Sequence, residues 1–432
     1  MEISTTNGAV VSLKSGWSRH DTMWVFGIYG CAVGGGSLFW PVSLGLRGFW
    51  PMLILSLLAF PITFFPYRAL ARYILAGSDK DGHEGNILDT TIEYFGTGWG
   101  KFLTTTYFLT VFPGMMIYTI AMTNTIIDFA RVQLHYSGLS RWVVAPVAVS
   151  LLMVIARYGT NVVVRAMGYI VAPFIISIIV FGFMVMPHWN GAMLATASSF
   201  GGIGELAVNT WKGLPLAVFA FSFTSITSSF VVAQKRQYGA DAARKVPQVM
   251  FVATLLAVST MLFFSWSCIL ALSPAELAQV KSSNLTVLSF LARKFDTPLF
   301  AFASQLIVFT AVIKSFLAHY LATEESVRTF GRTLFGLPER TLHSANFSRF
   351  VVLLVFSITT ASAIFNLDVI DLITVALVPV SVFVVYFLPL FAFRKIESLK
   401  KYQGRVTNLL VAAVGIVCLI SGVISIIDKF LR

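Results

Sequence analysis

Gly34-Gly35-Gly36 stands in the middle of an apolar stretch, Met23 to Leu46, that is long enough to cross a lipid bilayer. Three glycines at that depth give up side-chain packing and favour a break in the helix. Hydrocarbon offers no partner to a free N–H or C=O, so broken backbone survives there only where it is buried in protein or lines a polar cavity. The triplet therefore predicts a discontinuous first span with a binding site at the discontinuity. Close packing of two helices through small residues is the competing reading of the triplet taken alone.

The rest of the chain places this stretch in a membrane. Of its 432 residues 57% are hydrophobic and only 12% charged, with a mean hydropathy of +0.81, far outside the range of soluble domains. Runs of about 20 apolar residues predict eleven spans, near 23–46, 49–76, 101–130, 142–157, 163–187, 209–232, 247–272, 298–323, 350–366, 369–393 and 406–428. The net charge of +12 is scattered through short interhelical loops rather than gathered on one surface, which argues against a nucleic-acid partner. With the N-terminus in the cytoplasm, twenty-one Lys and Arg fall on the inside, among them Lys14, Lys80, Arg157 and Arg165, against nine outside, from Arg47 to Arg432. The positive-inside rule thus predicts a cytoplasmic N-terminus and, with an odd number of spans, a periplasmic C-terminus. Met1 to Asp21 is polar and leads into a full span, so the first span rather than a cleavable signal is expected to direct insertion. Cys31, Cys268 and Cys418 lie inside apolar runs without metal-ligand spacing and read as small buried hydrophobes.

One outer loop carries its own helix signal. Ser273-Pro274-Ala275-Glu276 combines an N-cap, proline at the first helical position and a capping-box glutamate, predicting a short interfacial helix within 273–295.

The sixth span holds a second anomaly. From Pro215 to Phe230 it includes Ser222, Thr224, Ser225, Thr227, Ser228 and Ser229, six hydroxyls in eight positions. Such groups return hydrogen bonds to unwound backbone or ligate a small polar solute. Breaks in spans one and six are five helices apart, the spacing of two inverted five-helix repeats in secondary transporters. The domain reading that follows is a cytoplasmic segment 1–22, a first repeat 23–187, an outer loop 188–208, a second repeat 209–393, and a cytoplasmic loop with an eleventh span over 394–432.

Half-helix N-termini present free N–H groups to an anion, and half-helix C-termini present carbonyls to a cation. An α-amino acid satisfies both. Backbone N–H groups at Gly34, Gly35 and Gly36 are candidates for its carboxylate. Carbonyls near Ala32 and from Phe219 to Ser222 are candidates for its ammonium, and Ser37, Phe221, Phe223 and Ser225 stand beside them. In span three, Tyr118 and Asn124 are polar candidates to face the same pocket, with plain interhelical hydrogen bonding as the alternative.

Several motifs also resemble one family. Asp21-Thr22-Met23-Trp24, Gly30-Cys31-Ala32-Val33-Gly34-Gly35-Gly36-Ser37-Leu38-Phe39, Val218-Phe219-Ala220-Phe221-Ser222-Phe223, Leu272-Ser273-Pro274-Ala275 and Lys314-Ser315-Phe316-Leu317-Ala318-His319-Tyr320 are similar to the serine/threonine permeases of the bacterial hydroxy/aromatic amino acid permease family. The resemblance implies an all-α inner-membrane protein of the amino acid–polyamine–organocation superfamily. It would have eleven transmembrane helices in a five-plus-five inverted repeat, helices 1 and 6 discontinuous, plus one extra helix. It also implies proton-coupled uptake of L-serine or L-threonine, with no cofactor. Two positions depart from the pattern. Ser225 stands where these permeases usually have proline, and Cys31 where threonine is common.

Lys314 lies well inside the eighth span, about ten residues or about 15 Å of helix before Glu324. An intramembrane cation is a functional-site hypothesis by default, a static brace on carbonyls being the alternative. In the implied fold, span eight lies against broken span one, where sodium-driven relatives hold their ion, so an ammonium there would stand in for sodium and exchange its own proton. His319 is the second candidate for a proton relay, or a satisfied structural histidine. The group that reads a substrate hydroxyl stays open among Ser222, Ser225, Ser37 and Lys314.

Other functions compete, among them a channel, which would only equilibrate its substrate where a symporter concentrates it, and a substrate-sensing receptor. An aromatic amino acid permease of the same family would use Phe219, Phe221 and Phe223 to stack its substrate, and a sodium-coupled symporter would differ only in its ion. An integral-membrane enzyme would need a metal cluster or nucleophile–base pair, whereas histidines at 20, 83, 135, 188, 319 and 343 are too dispersed for such a motif. The expected partners are a small amino acid and the lipid bilayer, and the sequence leaves the oligomeric state open.

Overall fold

A computed structural model describes residues 16–78, 85–156, 160–198 and 201–430. Of the charges that set the expected orientation, Lys14, Lys80, Arg157 and Arg432 lie outside the described residues, as does His83. Among the described residues every regular element is helical.

The first apolar stretch forms α1 (Arg19–Ala32) and α2 (Trp40–Gly45), joined through 33–35 and a tight turn, Gly36–Phe39; the two halves are bent by 49°. Then come α3 (Phe49–Ala76), α4 (Ile87–Val132), α5 (Arg141–Ala156) and α6 (Thr160–Val185). The second half begins with α7 (Ile203–Ala220) and α8 (Thr224–Tyr238), separated at 221–223, followed by α9 (Ala242–Leu270). It continues through α10 (Pro274–Ser282), α11 (Val287–Phe295), α12 (Pro298–Phe335), α13 (Ala345–Phe365), α14 (Val369–Lys395) and α15 (Val406–Phe430).

Eight helical stretches among the described residues are long and apolar enough to cross a membrane, nine when the bent pair α1/α2 is taken as one span. The difference from eleven has two sources. Helix α5 has 16 residues, short of the roughly 20 a perpendicular span needs. The sixth stretch is cut in two at 221–223, and its second half runs on through a tight turn, Gly239–Asp241, into α9.

Local chemistry explains the other boundaries. Gly96, at φ 83°, divides α4 into a short helix capped by Asn86 and the long span that follows. Helix α12 overruns the expected end at 323 because Glu324 and Arg328, one turn apart at 2.6 Å, suit a helix leaving the membrane, and it stops at Gly336 in the left-handed conformation. The single outer helix expected over 273–295 is instead two, α10 and α11, with a turn at 283–286. Nor do they only skim the surface, since Leu277, Val280, Val287, Leu288 and Leu291 are fully buried.

Helices α4 and α12 share the most extensive packing, α12 lies against α1 and α4 against the turn Gly36–Phe39, while α9 packs on α1, α3 and α6. Trp40, Tyr29, Phe39, Phe221 and Phe264 fill the interior, and Leu57, Leu151, Phe302 and Leu409 point outward, as a lipid-facing rim requires.

Candidate functional site

The two breaks meet. Helix α1 ends at Val33 in extended backbone (φ −96°, ψ 93°), and helical backbone resumes at Gly35 (φ −54°, ψ −38°), which leads into the turn Gly36–Phe39. Glycine is needed because of close approach: a Cβ on Gly34 would overlap Ser315 Oγ of α12, and one on Gly36 would run into the ring of Phe219 of α7. The sequence puts three glycines where three other spans, α4, α7 and α12, press against the broken backbone. In α7 the helix stops at Phe221 (φ −116°, ψ 21°) and restarts after Phe223 (φ −129°, ψ 33°).

One cavity lies between these breaks. Cys31, Ala32, Gly34, Gly36, Ser37, Phe219, Ser222, Thr224 and Ser225 line it from the broken segments. Thr110, Val111 and Tyr118 of α4, His319 of α12 and Leu377 of α14 complete it. The walls are almost sealed, with Ser37, Tyr118, Phe219 and His319 each 9% exposed or less.

Of the residues the sequence singles out, nine share this cavity: Ala32, Gly34, Gly36, Ser37, Tyr118, Phe219, Ser222, Ser225 and His319. Ser37 is turned onto its own break, its hydroxyl donating to Gly34 O at 2.7 Å and accepting the Gly34 N–H at 3.0 Å. Gly34 N–H is thereby taken, whereas the N–H groups of Gly35 and Gly36 precede the first donor of the turn, Ser37, which bonds Gly34 O at 3.1 Å.

Other candidates stand elsewhere. Gly35 is backed by the Tyr118 ring and Val312. Phe221 packs edge-on against Trp40 with ring centroids 5.8 Å apart, and Phe223 stacks on Tyr67 at 3.8 Å. Asn124 is a brace rather than a cavity wall: its amide donates to Asn284 O at 2.8 Å and its carbonyl accepts from Arg141 at 2.6 Å, tying α4 to α5 and to the turn after α10. The polar character of span three could not separate these two uses of an asparagine.

Lys314 is fully buried behind the cavity. Its ammonium donates to Gly30 O at 2.8 Å and to Val33 O, and lies 4.2 Å from the centre of the Phe174 ring. Those carbonyls are at the C-terminal end of α1, where a helix leaves acceptors unpaired and carries partial negative charge. The charge is thus met by two carbonyls and an aromatic face, all uncharged. His319 bonds Ser315 O through Nδ1 at 2.9 Å, and its ring meets Tyr118 edge-on at 5.0 Å.

Tyr67 is the residue that sequence reasoning missed. From α3 it reaches the second break, where its hydroxyl contacts Ser222, Thr224 and the backbone of Phe223. The available signal was a tyrosine inside a membrane span, since a buried phenol needs a partner. Among the described residues no group of three or more His, Cys, Asp or Glu is placed to hold a metal ion.

Similarity to known proteins fits this geometry. Residues 22–335 match the tryptophan/tyrosine permease family. The chain is 33% identical over 424 residues to the serine transporter SdaC of Escherichia coli K12, covering 96% of this chain and 98% of the relative. It is 34% identical over 419 residues to the threonine/serine transporter TdcC of Escherichia fergusonii, covering 93% and 94%. A crystal structure of a manganese transporter from Eremococcus coleocola superposes with a TM-score of 0.58 at 13% identity, over 96% of this chain and 89% of that one, a likeness of fold alone. The chain is a multi-pass helical membrane protein and belongs to the tryptophan/tyrosine permease family.

Proposed function

We propose that the protein is a proton-coupled symporter that carries L-serine, L-threonine or a similar small neutral amino acid into the cell across the bacterial inner membrane. The observation that carries this reading is the meeting of two helix breaks at one cavity with a buried ammonium behind the first. The names of the relatives supply the substrate class. In this reading the N–H groups of Gly35 and Gly36 take the substrate carboxylate, the carbonyls of Ala32 and of the break at 220–222 take its ammonium, the Phe219 carbonyl being occupied by the N–H groups of Phe221 and Ser222, and Phe219, Tyr118 and Ser225 enclose its side chain.

Counting the short α5 and the divided α7/α8 as spans brings the total to eleven, in two inverted five-helix repeats with α15 outside them. The N-terminus then lies in the cytoplasm and the C-terminus in the periplasm. Alternating access follows as tilting of the half-helices around the fixed site. A second cavity, lined by His20, Asn86, Ser229, Arg236 and Glu325 among others, lies where α1 begins and α8 ends and offers the path of release.

Lys314 takes the place of a coupling cation. Its ammonium holds the C-terminal carbonyls of α1 when protonated and releases them when it loses its proton, with His319 as the relay. No cofactor enters. Reconstitution into liposomes tests this: labelled L-serine accumulates under an inward proton gradient, fails to do so under an inward sodium gradient with pH clamped, and loses its proton drive in Lys314→Ala. Proton-driven accumulation by Lys314→Ala would remove the lysine from the mechanism. A second reading, an aromatic substrate, draws on the description of the family, and excess L-tryptophan in the same assay tests it.

A further inference from the structure

Three hydroxyl oxygens form a triangle at the second break. Tyr67 Oη lies 2.8 Å from Ser222 Oγ and 2.7 Å from Thr224 Oγ1, and the last two are 3.2 Å apart. Tyr67 Oη also accepts the backbone N–H of Phe223 at 3.1 Å. Three hydrogen bonds among three hydroxyls use three protons, and three hydroxyls own three. No hydroxyl proton of the triangle remains to point into the cavity that Ser222 and Thr224 line. What these two oxygens present there is lone pairs.

Two further hydroxyls of the wall are committed to backbone carbonyls, while Ser225 Oγ pairs with Cys31 Sγ at 3.1 Å. Ser37 donates to Gly34 O and Thr110 donates to Thr106 O at 2.9 Å. The break at 221–223 thus offers a wall that accepts, held in shape by a tyrosine that is 3% exposed and absent from the cavity lining.

We infer that the Tyr67–Ser222–Thr224 triangle reads the side-chain hydroxyl of the substrate by accepting its proton, and that Tyr67 is the positioning residue for this selectivity. The inference rests on the serine/threonine reading above and adds the group that discriminates. L-serine and L-threonine bring a donor to the lone pairs of Ser222 and Thr224. L-alanine, the deoxy analogue, brings none and leaves them facing a methyl group. A site whose polar groups are buried rejects the analogue that cannot pair with them. Tyr67→Phe frees the one hydroxyl proton that Tyr67 Oη accepts and removes the acceptor of the Phe223 N–H, so Ser222 and Thr224 can turn a donor as well as lone pairs toward the cavity and no longer require one from the substrate.

The test is competition in proteoliposomes: uptake of labelled L-serine against unlabelled L-serine and L-alanine, in the wild type, Tyr67→Phe and the near-isosteric Thr224→Val. In the wild type L-serine is preferred. Both variants are expected to lower the serine-to-alanine preference about ten-fold while the apparent affinity for L-alanine stays within about two-fold. An equal loss for both amino acids would overturn the inference, because it would mean that the triangle holds the ammonium or only supports the fold. An unchanged preference would overturn it as well. Should Tyr67→Phe fail to fold, as judged by gel filtration in detergent, Thr224→Val carries the test, since it keeps the tyrosine in place. A wild type that carries neither L-serine nor L-threonine would instead defeat the underlying substrate reading, and the inference with it.

Discussion

The thiol of Cys31 and the hydroxyl of Ser225 stand 3.1 Å apart across the cavity, one in the last turn of α1 and the other in the first turn of α8. These are the two positions that set the sequence apart from the serine/threonine permeases it resembles, and they touch. A thiol and a serine hydroxyl can share a proton, so the pair ties the two breaks together at their junction. Removing either partner leaves the other without its bond in a nearly sealed site. Cys31→Ala and Ser225→Ala are each expected to raise the KM for L-serine about five-fold, roughly 1 kcal/mol, and the double variant to raise it no further than the worse single one. A double-mutant cycle on transport measures this, and additive effects would show the contact to be idle.

At the first break the critical contact is between backbone and side chain. Because a Cβ on Gly34 would overlap Ser315 Oγ, Gly34→Ala forces α1 and α12 apart just where Lys314 bonds the end of α1. Overpacking of this kind costs about 1–3 kcal/mol. Gly34→Ala should therefore lower both the melting temperature in detergent and L-serine uptake, and adding Ser315→Ala should recover part of each. Recovery of stability without recovery of uptake would point to the Gly34 N–H rather than to packing.

Both breaks could be read from the residues because each violates what a lipid-facing helix wants, three glycines in one case and a crowd of hydroxyls in the other. Lys314 was legible for the same reason, as a charge too deep to snorkel. What sequence could not supply was partnership. Ser37 lies beside the glycines and was a fair candidate for the substrate, yet its hydroxyl folds back onto Gly34. Asn124 is as polar as Tyr118, but only the latter reaches the cavity. Tyr67 is 155 residues from Ser222 in the chain, and nothing local to either announces their contact. The number of spans was blurred where polarity and length disagree, at the short α5 and at α8, which runs on into α9.

The start of α1 depends on a buried ion pair. Asp21 is fully buried, accepting from Lys245 Nζ at 3.0 Å, Tyr238 Oη at 2.8 Å and the Ser18 N–H at 3.0 Å, while Lys245 also donates to Gly16 O at 2.6 Å. Breaking such a pair from one side leaves an uncompensated charge, at a cost of about 3–5 kcal/mol. Lys245→Met should therefore be severely destabilising, and Asp21→Asn in the same chain should recover much of the loss. Thermal unfolding of both single variants and the double in detergent checks this. Simple addition of the two losses would mean that the residues act separately.

Glu276 gives the outer loop a pH dependence whose sign is set by its partners. Partial burial pushes its carboxyl up, but the hydrogen bonds from Lys294 and from Ser273, with the ammonium's charge, outweigh burial and hold it below the usual carboxylate range. Lys294 Nζ reaches Oε1 at 2.7 Å and the Ser273 N–H reaches Oε2 at 2.8 Å, so one carboxylate caps α10 and pins α11 to it. A carboxyl lowered by folding contributes stability that is complete above its unfolded value, about 4.3, and is lost as pH falls through the lower folded value. Glu276→Gln should therefore be less stable than the wild type by about 1 kcal/mol at neutral pH. The gap between their melting temperatures should close as the pH is taken below about 4.3. A gap that stayed constant down to pH of about 3 would mean that Glu276 acts through its shape and not through its charge.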